Sequence, residues 1–179
     1  MMEYRFRPLP TDSLESGEQL FLTQAVVDEM SRILPKNVGM ESHENVVYIA
    51  GIIEVGRRIG TTVVVPNAET GRGGYDTNVD SHADVLNLLV DLDLAIVAQV
   101  HTHPGSLVYH SDADDDLAFI RAEGFWSLVV PNYGRNGVLP MVQCGIHCFK
   151  DGVFHLLTQD AAVARVHILP SSCDLRTKQ

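Results

Sequence analysis

No apolar run in this 179-residue chain approaches the roughly 18–20 residues that a helix needs to cross a bilayer, so a helical membrane span is excluded. The opening MMEYRFRPLPTD carries basic residues but no continuous apolar stretch, and no secretory signal is expected from it. Cysteine is scarce: Cys144, Cys148 and Cys173 are an odd number without a paired framework, which points to a reducing compartment and hence the cytoplasm. Basic residues are also few. Thirteen Lys and Arg against 23 Asp and Glu leave a formal net charge of −10, which disfavours a nucleic-acid partner because phosphates require a basic surface. There is no internal repeat and no low-complexity stretch.

What remains is ordinary globular material. Apolar residues make up 45% and charged residues 20% of the chain. This length fits one domain, residues 1–179, able to bury a core without disulfides or a structural metal. Residues 1–18 are polar and proline-bearing and read as a loosely attached arm; residues 171–179 read as a flexible polar tail.

Leu20–Leu22 reads as a short strand. Thr23 then caps a helix whose apolar face is Val26, Val27, Met30, Ile33 and Leu34, stopped by Pro35. Val46–Val55 and Thr61–Val65, rich in β-branched residues, read as a hairpin around GRRIG. Pro66–Asn78 reads as a polar loop. A second helix is expected from Asp80 or Ser81, burying Val85, Leu86, Leu89 and Leu92. Ala95–Val100 has the continuous apolar character of a central strand buried on both faces. A third helix is expected from just after Ser111 to about Glu123. Trp126–Val130 is another strand, and Met141–Phe149 and Val153–Leu157 form a hairpin around Lys150–Gly152. This mixed order predicts an α/β (α+β sandwich) fold, a curved mixed β-sheet flanked by helices.

The informative segment is His101-Thr102-His103-Pro104-Gly105-Ser106-Leu107-Val108-Tyr109-His110-Ser111-Asp112-Ala113-Asp114. His101 and His103 are two apart at a strand end, so both imidazoles point to one side. Ser111 and Asp114 are three apart at a helix start and also share a face. Two histidines and one carboxylate make a three-ligand site, the type that leaves a fourth position for water and is catalytic in zinc enzymes. Such a site needs a general base, and Glu44, just before the first long strand, is the candidate.

His-x-His-Pro, six residues, Ser, two residues, Asp resembles the defining motif of the JAMM metalloproteases, also called JAB or MPN-plus domains. Glu44 stands seven residues before Gly51, similar to the family's glutamate, and the resemblance covers about residues 20–158. It implies that His101, His103 and Asp114 hold one catalytic Zn2+, and that Glu44 holds and deprotonates water. Ser111 would donate a hydrogen bond to the tetrahedral oxyanion. Thr102 stands where many members have serine. The implied substrate is the C-terminal tail of ubiquitin or a ubiquitin-like protein, cut at a peptide or isopeptide bond. Loops corresponding to Pro66–Asn78 and Pro131–Leu139 would frame the groove, with Gly105–His110 bordering it. The compact build resembles stand-alone prokaryotic JAB proteins, which act beside ubiquitin-like activating and conjugating enzymes, some in antiphage defence, or process sulfur-carrier proteins.

Plainer readings compete. Ser111 and Asp114 also spell a capping-box-like helix start, and one serine can both cap the helix and face the metal. Asp115 and Asp116 follow Asp114 and are expected to face solvent. His43 and His110 are read as surface or supporting residues rather than ligands. Cys144, His147 and Cys148 look like a metal cluster. In a strand, however, His147 faces the opposite side, and the two cysteines lie roughly 13 Å apart, so buried core cysteines are expected. A non-catalytic MPN scaffold is the alternative class, against which the retained Glu44, His101, His103, Ser111 and Asp114 argue. A zinc deaminase would need His-x-Glu and Pro-Cys-x-x-Cys, and neither occurs.

Overall fold

A computed structural model describes residue 7 and residues 17–172. The expected arm is described only at residues 7, 17 and 18, and the expected tail only at residues 171 and 172; the rest of both lies outside the described residues.

The centre is an eight-stranded mixed sheet accompanied by four helices. The chain begins with strand β1 (Gln19–Thr23) and helix α1 (Gln24–Ile33), then a small hairpin, β2 (Lys36–Val38) and β3 (Glu41–His43). The long strands β4 (Val46–Glu54) and β5 (Arg57–Val64) follow, then a second small hairpin, β6 (Glu69–Gly71) and β7 (Gly74–Asp76), and helix α2 (Val79–Leu92). Strand β8 (Ala95–Thr102), helix α3 (Asp112–Asp116) and strand β9 (Trp126–Val130) come next. Strands β10 (Gly145–Lys150) and β11 (Val153–Leu156), helix α4 (Gln159–Arg165) and strand β12 (Val166–Leu169) complete the described chain. The sheet order is β11-β10-β9-β8-β4-β5-β1-β12, with β8 parallel to β9 and antiparallel to β4.

Alternation along β4 sorts the core into two layers, as period-two geometry requires. Val47 and Ile49 pack with Val26, Val27 and Met30 of α1, whereas Val46, Tyr48 and Ala50 pack with Val85 and Leu89 of α2. Each such fully buried aliphatic side chain contributes roughly 1.5–3 kcal/mol. β8 is buried from Ile96 to Thr102, as its apolar run predicts. Gly51 sits at a bulge between β4 and β5, where an added Cβ would collide with the Ile59 carbonyl. Close backbone approach therefore explains why glycine stands seven residues after Glu44.

Several elements differ from the sequence reading. Arg57–Gly60 of GRRIG belong to β5, because the reversal falls at Val55–Gly56, with Gly56 at φ +70°. On α2 the buried face is Ser81, Val85 and Leu89; Leu86 and Leu92 lie outside it, about half exposed. Helix α3 has only five residues and ends at Asp116 rather than near Glu123. Beyond it Ala118, Phe119 and Ile120 pack against the α2-side core, and Phe119 stacks on His82 at 3.9 Å. That packing overrides helix periodicity, and acids near a helix C-terminus are themselves unfavourable. Met141–Gln143 form a 3-10 turn, so the strand there starts at Gly145. The sequence reading did not anticipate the two small hairpins, α4 or β12.

Candidate metal centre

β8 delivers both histidines to its C-terminal end, on the α2 side of the sheet. Val46 pairs with His101 across the β4–β8 ladder, which sets Glu44 beside His103. Asn45 locks this register. Its N–H donates to Thr102 Oγ1 (2.9 Å), its carbonyl accepts from Thr102 N–H (3.0 Å), and its amide donates to the Ile33 carbonyl (3.1 Å) at the end of α1. Thr102, between the two histidines, thus fastens the segment bearing Glu44 to β8.

Asp114 arrives from α3. Ser111 caps this helix, and Asp114 closes the box by accepting from Ser111 N–H at 2.6 Å. Ser111 Oγ also donates to Asp114 Oδ2 (2.7 Å) and accepts from Asp114 N–H (3.2 Å). The capping reading and the site reading of Ser111 and Asp114 therefore describe one arrangement.

His101 Nε2 and His103 Nε2 lie 3.3 Å apart, with Asp114 Oδ1 3.2 Å from His101 Nε2 and Asp114 Oδ2 3.3 Å from His103 Nε2. Donors about 2.0–2.1 Å from one tetrahedral zinc ion stand roughly 3.3 Å apart, so the donor set fits that ion. Among the described residues this is the one group of three or more His, Cys, Asp or Glu side chains that converges so closely. His103 Nδ1 donates to the Leu107 carbonyl (3.0 Å), which leaves Nε2 with its lone pair toward the ion's position. His101 Nδ1 is buried without a hydrogen-bond partner.

The electrostatics suit a cation. Burial opposes ionisation of Asp114, but the imidazoles of His101 and His103 hold its carboxyl well below the usual range. Burial works to lower His103, yet the hydrogen bond and charge of Asp114 raise it overall. Glu44, 6% exposed, is pushed up to about 7 chiefly by burial, with His103 pulling it down and Asp114 pushing it up. A carboxyl so poised can exchange a proton near neutral pH.

Glu44, His103, Ser111 and Asp114 line one cavity of about 40 Å³, together with Gly73, Gly74, Tyr75 and Leu117. That space is on the order of one water molecule. The Tyr75 ring stands against His101, centroids 5.5 Å apart. The β6–β7 hairpin is held over the site by Glu44 N–H to the Gly71 carbonyl (2.7 Å), His43 Nδ1 to the Thr70 carbonyl (2.8 Å) and Tyr133 Oη to the Arg72 carbonyl (2.8 Å). Of the two expected framing loops, 66–78 walls the cavity. Loop 131–139 supplies none of its lining and acts through Tyr133.

The five sequence-predicted residues thus come together. The sequence reading missed Tyr75, Asn45 and the hairpin glycines; only the Gly73–Gly74 pair left a trace, as turn chemistry. His147 faces away from Cys148 and stacks on His110 at 3.9 Å, so Cys144, His147 and Cys148 form no cluster. Both cysteines are buried, and burial pushes their thiols up to about 12 and about 11. Asp115, expected to face solvent, is instead largely buried and paired, its side chain 11% exposed.

No family model matches the chain. Over 104 residues it is 32% identical to a Sinorhizobium fredii protein named probable metalloprotease y4jG, covering 56% of this chain. The chain spans 64% of that relative's length. A solution structure of a Desulfitobacterium hafniense protein matches with a TM-score of 0.60 at 15% identity, covering 85% of this chain and 92% of that one, a likeness of fold alone. No helix among the described residues is long and apolar enough to cross a membrane.

Proposed function

We propose that this chain is a zinc-dependent peptidase of the JAMM type, hydrolysing the bond after the C-terminal tail of a ubiquitin-like protein in deconjugation or precursor maturation. The observation that carries this reading is the convergence of the His101, His103 and Asp114 donors beside a water-sized cavity that Glu44 lines together with His103 and Asp114. Similarity to a protein named probable metalloprotease supports the peptidase class. Two imidazoles and a carboxylate are a catalytic zinc set, three protein ligands that leave the fourth position open to water.

Zinc held there supplies a Lewis acid that polarises a carbonyl and acidifies water. Glu44 accepts a proton from the attacking water and delivers it to the leaving nitrogen as the C–N bond breaks. Ser111, on the cavity wall, turns its hydroxyl from Asp114 toward the carbonyl oxygen as negative charge develops there. Burial of Glu44 places its proton affinity where both transfers are feasible. The β6–β7 hairpin, which places Gly73 and Gly74 beside Tyr75 at the cavity, leaves room for an extended tail.

The test is incubation of zinc-loaded protein with a ubiquitin-like protein encoded near its gene, extended or conjugated at its C-terminus, read by intact mass. Cleavage directly after the tail, abolished by Glu44→Gln and by chelation, is expected. Cleavage that survives either control contradicts the mechanism. A folded chain that binds no zinc moves the scaffold reading to first place.

A further inference from the structure

Helix α3 is too short to hold its own position. Five residues make little more than one turn, and an isolated helix of that length is unstable in water. The Ser111–Asp114 capping box is internal to the helix, so it cannot fix where Asp114 sits relative to the histidines on β8. That placement requires bonds leaving the helix in another direction, and Asp115 makes them. Its Oδ1 accepts from His110 Nδ1 (2.9 Å), and its Oδ2 accepts from Arg7 Nη1 (3.0 Å).

His110 carries the connection inward. Its Nε2 meets Ser127 Oγ on β9 at 2.9 Å, and Gln99 Nε2 on β8 donates to that same oxygen at 3.2 Å. Because Ser127 accepts from Gln99, its hydroxyl proton is free to go to His110 Nε2. His110 Nδ1 then carries the proton donated to Asp115. Gln99 lies two residues before His101 on the same strand face. The His110 ring stands 5.7 Å from that of His101 and 3.9 Å from that of His147, between centroids. The bonds therefore form a closed circuit from β8 through Ser127, His110 and Asp115 to the helix bearing Asp114.

Arg7 joins this circuit from outside the helix. Its carbonyl accepts from Leu156 N–H (2.7 Å), which lays it along the outer edge of β11, while its guanidinium neutralises Asp115. Asp115 stands between Asp114 and Asp116, so without a cation a largely buried carboxylate would face like charges.

We propose that His110, Asp115 and Arg7 are positioning residues that hold the Asp114 ligand at the histidine pair, making Arg7 part of the support of the metal site. The proposal rests on the reading of His101, His103 and Asp114 as ligands.

The experiment measures zinc affinity by chelator competition, and the visible spectrum of the cobalt-loaded protein, for the full chain and for His110→Ala, His110→Asn and Arg7→Ala. Thermal unfolding of each metal-free protein monitors folding. For His110→Ala, zinc affinity is expected to fall about ten- to hundredfold, the usual effect of losing a ligand's support, with an altered cobalt spectrum. His110→Asn, whose amide N–H replaces Nδ1–H toward Asp115, is expected to recover part of the loss. Arg7→Ala, at the surface end, is expected to lower affinity by a smaller factor, and it carries the test if His110→Ala does not fold. Wild-type affinity and spectrum in the folded variants would overturn the proposal. A wild-type chain that binds no zinc would instead overturn the ligand reading beneath it.

Discussion

Glu44 is placed where a carboxylate is least comfortable, and that discomfort has a measurable sign. Its folded-state pKa is raised from 4.5 to about 7, so the folded chain holds this proton more tightly than the unfolded chain. As pH rises from about 4.5 through 7, the unfolded form ionises freely while the folded form resists, and stability falls across that window. A shift of this size corresponds to up to about 3 kcal/mol. Glu44→Gln, which never ionises, is therefore expected to make the metal-free protein more stable than wild type at pH 8 and little different at pH 4. Denaturant unfolding at the two pH values checks this, and a variant less stable than wild type at pH 8 would contradict it. The residues that come together at the candidate site were legible because their order along the chain is a motif. Their supports were not. Asn45 acts on Thr102, Tyr75 on His101, and Arg7 on Asp115 across long stretches of sequence, and no local pattern records such contacts. Asp115 was misread as a solvated acid for this reason.

At the scale of elements, the site depends on segments too small to be stable alone. The loop between His103 and Ser111 must lie close to β10, and Gly145 permits it: a Cβ there would collide with the Val108 carbonyl. Gly145→Ala is expected to push the loop outward at a cost of about 1–3 kcal/mol. Because that loop joins His103 to Asp114, zinc affinity is expected to fall along with stability. Chelator competition and thermal unfolding measure the two effects, and unchanged zinc affinity would show that the loop adjusts without disturbing the ligands. Helical periodicity made α1 legible and a continuous apolar run made β8 legible, and both stand nearly where expected. The five-residue α3 and the β6–β7 hairpin were not legible, because tertiary packing and not local propensity decides them. On α2 the sequence offers more leucines than one face can bury, and only the stripe continuing Ser81, Val85 and Leu89 meets the sheet.

At the scale of the molecule, one strand organises everything. β8 lies mid-sheet between the α1-side and α2-side cores, and its C-terminal end carries both histidines to the point where β4 brings Glu44 and α3 brings Asp114. β8 is buried on both faces where it carries His101, while the small β6–β7 hairpin lines the cavity beside it. Such a pairing of a packed scaffold with a small peripheral segment is the common plan of enzyme sites. This junction is expected to hold a metal ion. The most direct measurement is the metal content of the purified full chain, equilibrated with zinc and freed of excess, beside His103→Ala and Asp114→Ala checked for folding by circular dichroism. One zinc per wild-type chain, lost in both folded variants, is the expected result; a folded wild type without zinc, or variants that retain it fully, would contradict the claim.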